Sequence, residues 1–249
     1  MNYLLTLRYN GSRYHGWQRQ ENALTVQECV EAAVEKLFLE KVSVTGCSRT
    51  DTGVHANCFK CNFRADKEIA LEKVVTGMNY YLPDDIAVTD AEAVNDDFNA
   101  RFDAKGKEYI YKIYNGRVRD PFSQNLAYFH KYPLDAELMN EQAKDFIGTF
   151  DFSAFCAAGA TVKTTVRTVF DAGVEREGDT VIFRVTGDGF LYNMVRIMVG
   201  TLIYISEGKI EKGAIPRIIE SGNRLLAGKT ASPEGLYLNK VFYGELKAL

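Results

Sequence analysis

Over its first hundred residues the chain changes hydrophobic period in a fixed order: extended, helical, extended, extended, helical, extended. Few folds accept that order. Tyr3, Leu5, Leu7 and Tyr9 alternate with Leu4, Thr6 and Arg8, the period of a strand. Asn10-Gly11-Ser12 ends it. Thr25-Val26-Gln27-Glu28 has the form of a capping box. Behind it Val26, Cys29, Val30, Ala33, Val34, Leu37 and Phe38 recur at helical spacing, predicting an amphipathic helix over 25–39. Strands are expected near 42–46 and 57–64, then a helix over 70–81 stopped before Pro83, then an extended run from Ile86 to Val94. This β-α-β-β-α-β succession is the split βαβ, ferredoxin-like or RRM-like pattern.

The second half repeats the order without repeating the sequence. Lys107 to Tyr114 reads as a strand with Tyr109, Tyr111 and Ile113 on one face. Asp135 is placed to cap a helix whose Leu138, Met139, Phe146 and Ile147 form a stripe ending at Gly148. Val166 to Glu175 and Thr180 to Thr186 predict a hairpin across Glu177-Gly178-Asp179. Leu191, Met194, Val195, Met198, Val199, Leu202 and Ile203 predict a helix over about 190–206. A short helix near 211–221 and a strand near 238–246 complete the reading. The expected fold class is α+β: two modules, 1–103 and 104–249, with mainly antiparallel sheets joined around a central cleft. Clefts between modules are favoured sites.

Composition narrows the function classes. No apolar run approaches the ~18 residues of a membrane span, and the first residues lack the basic and long apolar regions of a signal peptide. Five cysteines in irregular spacing fit a reducing cytoplasm better than a disulfide framework. Cys58-Phe59-Lys60-Cys61 falls in an extended run, where positions three apart face opposite sides of a sheet. That predicts small buried hydrophobes rather than a metal or dithiol pair. The net charge of −3 argues against a nucleic-acid partner when taken globally. The charge is uneven, however. Residues 1–20 carry Arg8, Arg13 and Arg19 and no carboxylate, and basic residues outnumber acidic ones from Arg101 to Asp120. A local basic surface steers phosphate whatever the total charge. Tyr14-His15-Gly16-Trp17-Gln18-Arg19-Gln20 interleaves aromatic and basic residues, which suits stacking of bases and binding of phosphate, or equally a loop that covers a core edge.

The richest loop is Gly46 to Ala56, Gly-Cys-Ser-Arg-Thr-Asp-Thr-Gly-Val-His-Ala. It holds a carboxylate, Asp51, with Arg49 and His55 beside it and Gly53 as a turn residue. Read locally, Asp-Thr-Gly is a turn. The longer run Ser48-Arg49-Thr50-Asp51-Thr52-Gly53-Val54-His55-Ala56 resembles the catalytic motif of the tRNA pseudouridine synthase A (TruA) family. Four further segments match in family order: Gly16-Trp17-Gln18-Arg19-Gln20, Ala100-Arg101-Phe102 with Lys107-Glu108-Tyr109-Ile110-Tyr111, Phe190 to Gly200, and Glu234-Gly235-Leu236-Tyr237-Leu238. Thr52 stands where alanine is frequent, and Asn99 where histidine is.

The resemblance implies a pseudouridine synthase fold and a homodimer acting on uridines 38 to 40 of the tRNA anticodon stem-loop, with no cofactor and no metal. It implies Asp51 as the catalytic residue and Arg49 as the arginine that displaces the target nucleotide. It implies Tyr109 as the ring packed on the base, Arg196 as the basic partner of Asp51, and Leu236 as a pocket-lining residue. Arg19 and Arg101, in the matching segments, are expected to contact RNA. His55 is read as structural or RNA-contacting. The chemistry is consistent: the N1–C1′ bond breaks, the uracil turns, and C5 joins C1′, a redox-neutral change that needs no energy source. A flipped base needs a filler and a platform. A nearby guanidinium keeps a partly desolvated carboxylate ionised. The Tyr109 phenol is a further candidate for removing the C5 proton. Acylal, Michael-type and glycal routes all use the same aspartate, so the residues do not choose among them. A non-catalytic tRNA-binding or folding protein on the same scaffold is the alternative. A glycosidase would want a second acid near Asp51, which the loop lacks.

Overall fold

Two units are distinguished in the computed structural model, which describes residues 1–159 and 162–244. Of the described residues, the first comprises Met1–Lys105 together with 237–244; the second runs from Gly106 to Leu236.

In the first unit β1 (Asn2–Tyr9) is central, antiparallel to both β3 (His55–Arg64) and β4 (Ile86–Val94). α1 (Val26–Phe38) begins where the capping box predicts, with the Thr25 hydroxyl accepting the Glu28 N–H. Phe38 at its far end packs against the cross-strand pair Tyr3 and Phe63, with both centroid separations at 5.2 Å. These aromatics join the helix to the sheet face that Tyr3 and Leu5 line, both fully buried. α2 (Leu71–Tyr81) ends before Pro83 as expected and lies against β4 and α1. The opposite face holds a polar join. Asn62 donates to the Asn2 side chain and accepts the Ala100 N–H, while Asn2 reaches the carbonyls of Asn95 and Phe98.

The expected strand near 42–46 shrinks to β2 (Thr45–Gly46). Val44 is buried, but its N–H goes to the Glu31 carboxylate and its carbonyl accepts from Gln27, so α1 side chains occupy the groups a neighbouring strand would use. Placement of the last strand also departs from the sequence order. β10 (Leu236–Phe242) runs parallel to β3, with Tyr237 opposite His55 and Leu238 opposite Ala56, so residues 237–244 group with the first unit. Residues 245 and 246 of the expected strand lie outside the described residues.

The second unit carries β5 (Gly106–Tyr114), β9 (Thr180–Gly187), β8 (Val166–Glu177) and β7 (Gly148–Asp151) in that spatial order, all antiparallel. The two-residue β6 (Tyr128–Phe129) lies parallel to β5. Gly178, with φ at +57°, turns the predicted hairpin. α3 (Ala136–Ala143) is capped by Asp135, then tightens into a 3₁₀ turn over Lys144–Phe146 that leaves Ile147 exposed. α4 (Met194–Ser206) starts about one turn later than the apolar stripe suggests, because Asn193 adopts the left-handed conformation, φ +59°. α5 (Ile215–Ser221) closes the series. No helix among the described residues is long and apolar enough to cross a membrane.

Candidate active site

The loop carrying Asp51 is held by its backbone to the segment Tyr14–Trp17, 33 to 39 residues earlier in the chain. The Thr50 carbonyl accepts the Trp17 N–H at 3.2 Å, and the Gly53 N–H donates to the Tyr14 carbonyl at 3.2 Å. The Thr50 hydroxyl, itself buried, meets the Tyr9 hydroxyl at 3.0 Å. Within the loop the Val54 N–H returns to the Asp51 carbonyl at 3.1 Å, and Gly53 supplies φ +78°, so a turn is present and Asp51 opens it. Two glycines let the backbones approach. A Cβ on Gly11 would stand 1.9 Å from the Val54 carbonyl oxygen, and one on Gly16, already at φ +80°, 2.1 Å from that of Thr50. The result is a half-buried Asp51 on a fixed turn, with exposed Arg49 two residues before it.

The clamping segment is anchored in turn. The Tyr14 hydroxyl donates to Asp85 at 2.5 Å, and Arg13 Nε meets the other carboxylate oxygen at 2.7 Å. Burial first, then the Asp85 bond, pushes the Tyr14 phenol well above its ordinary value. Desolvation pulls the Asp85 carboxyl up, but the hydrogen bonds and charge supplied by Arg13 and Tyr14 outweigh it and leave that carboxyl below its ordinary value. Trp17 is 2% exposed and stacks on Phe59 at 4.1 Å; Tyr14 is 1% exposed. Neither ring offers a face to a base, so the base-stacking reading of this segment gives way to core cover.

Of the two readings of His55, structural or RNA-contacting, the first fits its surroundings. It is buried, its Nδ1 accepts the Gly11 N–H at 3.0 Å, and its ring stacks on Tyr237 at 4.6 Å. This is a structural histidine at the foot of the Asp51 turn, not one that touches RNA. Burial pushes the Tyr237 phenol up to about 12.

Arg19 is exposed and meets Glu31 at 3.3 Å, with its N–H held by the Gln27 side chain. Arg101 is exposed over the exposed ring of Phe102, while its neighbour Ala100 is fully buried beneath the Tyr243 hydroxyl. On β3, Cys61 is fully buried and its thiol is pushed well above the ordinary value by that burial; Cys58 is half-buried, so the buried-hydrophobe reading fits only one of the two. Among the described residues no group of three or more His, Cys, Asp and Glu side chains is placed to hold a metal ion.

Tyr109, Arg196 and Leu236 belong to the second unit. Tyr109 faces Val185 across β5 and β9, and its ring meets Phe190 edge-on at 5.2 Å. Arg196 sits in the first turn of α4. Its Nε donates to the Ala231 carbonyl at 2.7 Å, its Nη1 to the Asn193 side chain at 2.6 Å, and its own carbonyl accepts the Ala231 N–H. A half-buried guanidinium on an apolar helix is thereby fixed in direction. Leu236 is buried and follows a 3₁₀ turn over Pro233–Gly235, whose Gly235 lies under the Tyr111 ring. The clamp residues Tyr9, Gly11 and Gly16, and Asn193 beside Arg196, were not legible as site residues. Their signal is close approach between distant segments, which a local pattern does not contain.

Comparison with known proteins agrees with the motif. The family model described as tRNA pseudouridine synthase matches residues 6–103 and 142–244. The chain is 48% identical over 242 residues to a tRNA pseudouridine synthase A of Acetivibrio thermocellus, covering 97% of this chain and 99% of the relative. Relatives of the same name in Thermoanaerobacter sp. and Clostridium acetobutylicum are each 46% identical, with the same coverage.

Proposed function

This chain belongs to the tRNA pseudouridine synthase family, and from that premise we propose that it converts uridines 38 to 40 of the tRNA anticodon stem-loop, with Asp51 as the catalytic carboxylate. It isomerises uridine to pseudouridine in tRNA; a non-catalytic RNA-binding role is not favoured, because its relatives carry the name of the synthase. The observation that carries the assignment of Asp51 is its place on a turn clamped through Thr50 and Gly53. A reacting carboxylate must be held in position while the base leaves and returns.

In this reading Asp51 acts at the sugar as the N1–C1′ bond breaks. The uracil turns and C5 bonds to C1′. C5 then loses its proton and N1 ends protonated, so the product is an isomer of the substrate. Arg196 supplies the cation that keeps the carboxylate ionised, and Tyr109 the ring against the base. Arg49, exposed and two residues from Asp51, fills the place of the flipped nucleotide; Arg19 and Arg101 contact the RNA backbone, and Leu236 lines the pocket. The active species is a homodimer in the cytoplasm.

The test uses unmodified tRNA transcripts in which uridines 38, 39 and 40 are replaced singly by cytidine. Pseudouridine is expected wherever one of these positions keeps its uridine, and at no uridine outside the anticodon stem-loop. Product mapped elsewhere would overturn the site, and absence of product from every transcript would overturn the activity. Sedimentation of the free protein reads the dimer.

The role of His55 has its own test. His55→Phe keeps a ring over Tyr237 and removes the acceptor for the Gly11 N–H; His55→Asn keeps an acceptor near the Nδ1 position and removes the ring. A buried N–H left without a partner costs about 1–3 kcal/mol. The Phe variant is expected to lower kcat about tenfold with KM little changed, and the Asn variant to recover most of that loss. An active Phe variant beside an impaired Asn variant would assign the positioning to the ring stack instead.

A further inference from the structure

Away from the residues assigned to the reaction, the second unit repeats one arrangement three times. Lys131 Nζ lies 4.8 Å from the ring centroid of Tyr132, Lys209 5.0 Å from that of Tyr204, and Lys229 5.3 Å from that of Tyr128. The six residues come from three segments: β6 and the chain after it, the end of α4, and the loop before Ala231. They form one neighbourhood. Lys229 donates to the Tyr128 hydroxyl at 2.9 Å. Glu207 pairs with Lys209 at 2.8 Å through one oxygen and approaches His130 Nε2 at 3.4 Å through the other. Charge interactions with Glu207 reach Lys209, Lys229 and His130 alike.

The charge balance of this surface is positive. Burial holds His130 below its ordinary value, so at neutral pH it is uncharged, and Glu207 is matched by Lys209. Lys131 and Lys229 then remain as ammonium groups with no ion pair among the described residues. Both are exposed, as is Tyr132 at 56%, on a protein of net charge −3. Ammonium groups beside aromatic rings suit a polyanion that also carries flat bases. Within the second unit Lys229 lies two residues before Ala231, which holds Arg196, and the Tyr128 ring lies 6.5 Å from that of the buried Tyr111, two along β5 from Tyr109.

We propose that this lysine–tyrosine surface binds the sugar-phosphate backbone of tRNA outside the target nucleotide. The proposal rests on the reading of the substrate as tRNA, and it adds a contact region that the reacting residues do not supply.

The test compares the wild type with K131A/K209A/K229A and K131R/K209R/K229R on full tRNA transcripts. The alanine set is expected to raise the tRNA KM about tenfold at physiological salt, with kcat within about twofold. Its plot of log affinity against log salt should flatten by about 2, at about 0.7–0.9 per lost phosphate contact. The arginine set keeps charge over each ring and is expected to bind like the wild type. Lys131→Glu alone, at a side chain with no hydrogen bond to the fold among the described contacts, is expected to weaken tRNA binding severalfold even if the triple variant proves unstable. Unchanged affinity and salt slope in the alanine set or in Lys131→Glu would overturn the proposal, as would equal loss in the arginine set. If the wild type binds tRNA yet makes no pseudouridine, the enzymatic reading fails while the binding comparison still judges this surface.

Discussion

Asp51→Asn is expected to bind tRNA and to make essentially no pseudouridine, with kcat lowered by at least about 10³-fold. The substitution keeps shape and removes charge. The backbone bonds that fix the turn, Trp17 N–H to Thr50 and Gly53 N–H to Tyr14, do not involve the side chain and survive it. The amide lacks the negative charge that stabilises positive charge on C1′, removes a proton or forms a bond, so every route through this residue is lost together. Affinity for tRNA is carried mainly by cationic groups and is expected to stay within a few-fold or to rise as a negative charge leaves the site. The melting temperature is expected to remain within a few degrees of the wild type, since residues held for function are often not the best for stability. Single-turnover assays read the chemical step, and filter binding reads affinity. An Asn variant that turns over within tenfold of the wild type removes Asp51 from the chemistry and leaves the loop as a structural turn.

What was legible in the sequence follows the range of the interactions. The Thr25–Glu28 box, the stop before Pro83 and the Gly178 hairpin are local, and the structure keeps each where its pattern lies. β2 was overestimated because Val44 satisfies its backbone with Glu31 and Gln27, side chains of a helix that a β pattern does not consult. α4 starts late because Asn193 takes a left-handed turn that its apolar stripe does not announce. The site divides in the same way. Asp51 and Arg49 were readable as a motif with a chemical reason. Of the glycines that clamp the loop, Gly11 was readable only as a strand end and Gly16 only as part of a matching segment, since the atoms they make room for belong to Val54 and Thr50, 43 and 34 residues away. Trp17 misled for a related reason: an aromatic among arginines looks available until Phe59 is known to cover it.

Gly200→Ala is expected to cost about 2–4 kcal/mol of stability, against the usual sign for a helix interior, where alanine is favoured over glycine by about 1 kcal/mol. The reason is a crossing of two backbones. A Cβ on Gly200 would lie 1.7 Å from the Lys229 carbonyl oxygen, and a Cβ on Gly228 would lie 2.3 Å from the Gly200 carbonyl carbon. Both partners are main chain, so no side chain can swing aside. The crossing is bonded as well: the Gly228 N–H donates to the Thr201 hydroxyl at 2.9 Å, and that hydroxyl donates to the Ile197 carbonyl at 2.8 Å. Forcing the strands of chain apart breaks these bonds and carries Ala231 away from Arg196, whose Nε and carbonyl both depend on it. The melting temperature is expected to fall by about 5–15 °C at roughly 2–4 °C per kcal/mol. The folded fraction is expected to lose kcat as well, because Arg196 loses its orientation. Gly228→Ala should cost a similar amount, and the double variant less than the sum, since one separation relieves both clashes. Gly208, with φ +71° and nothing near its missing Cβ, supplies the control in which only backbone strain is added. If Gly200→Ala melts and turns over like the wild type, the close approach of α4 to the Lys229 loop does not hold Arg196. The glycine at the end of the Phe190–Gly200 motif would then need another reason.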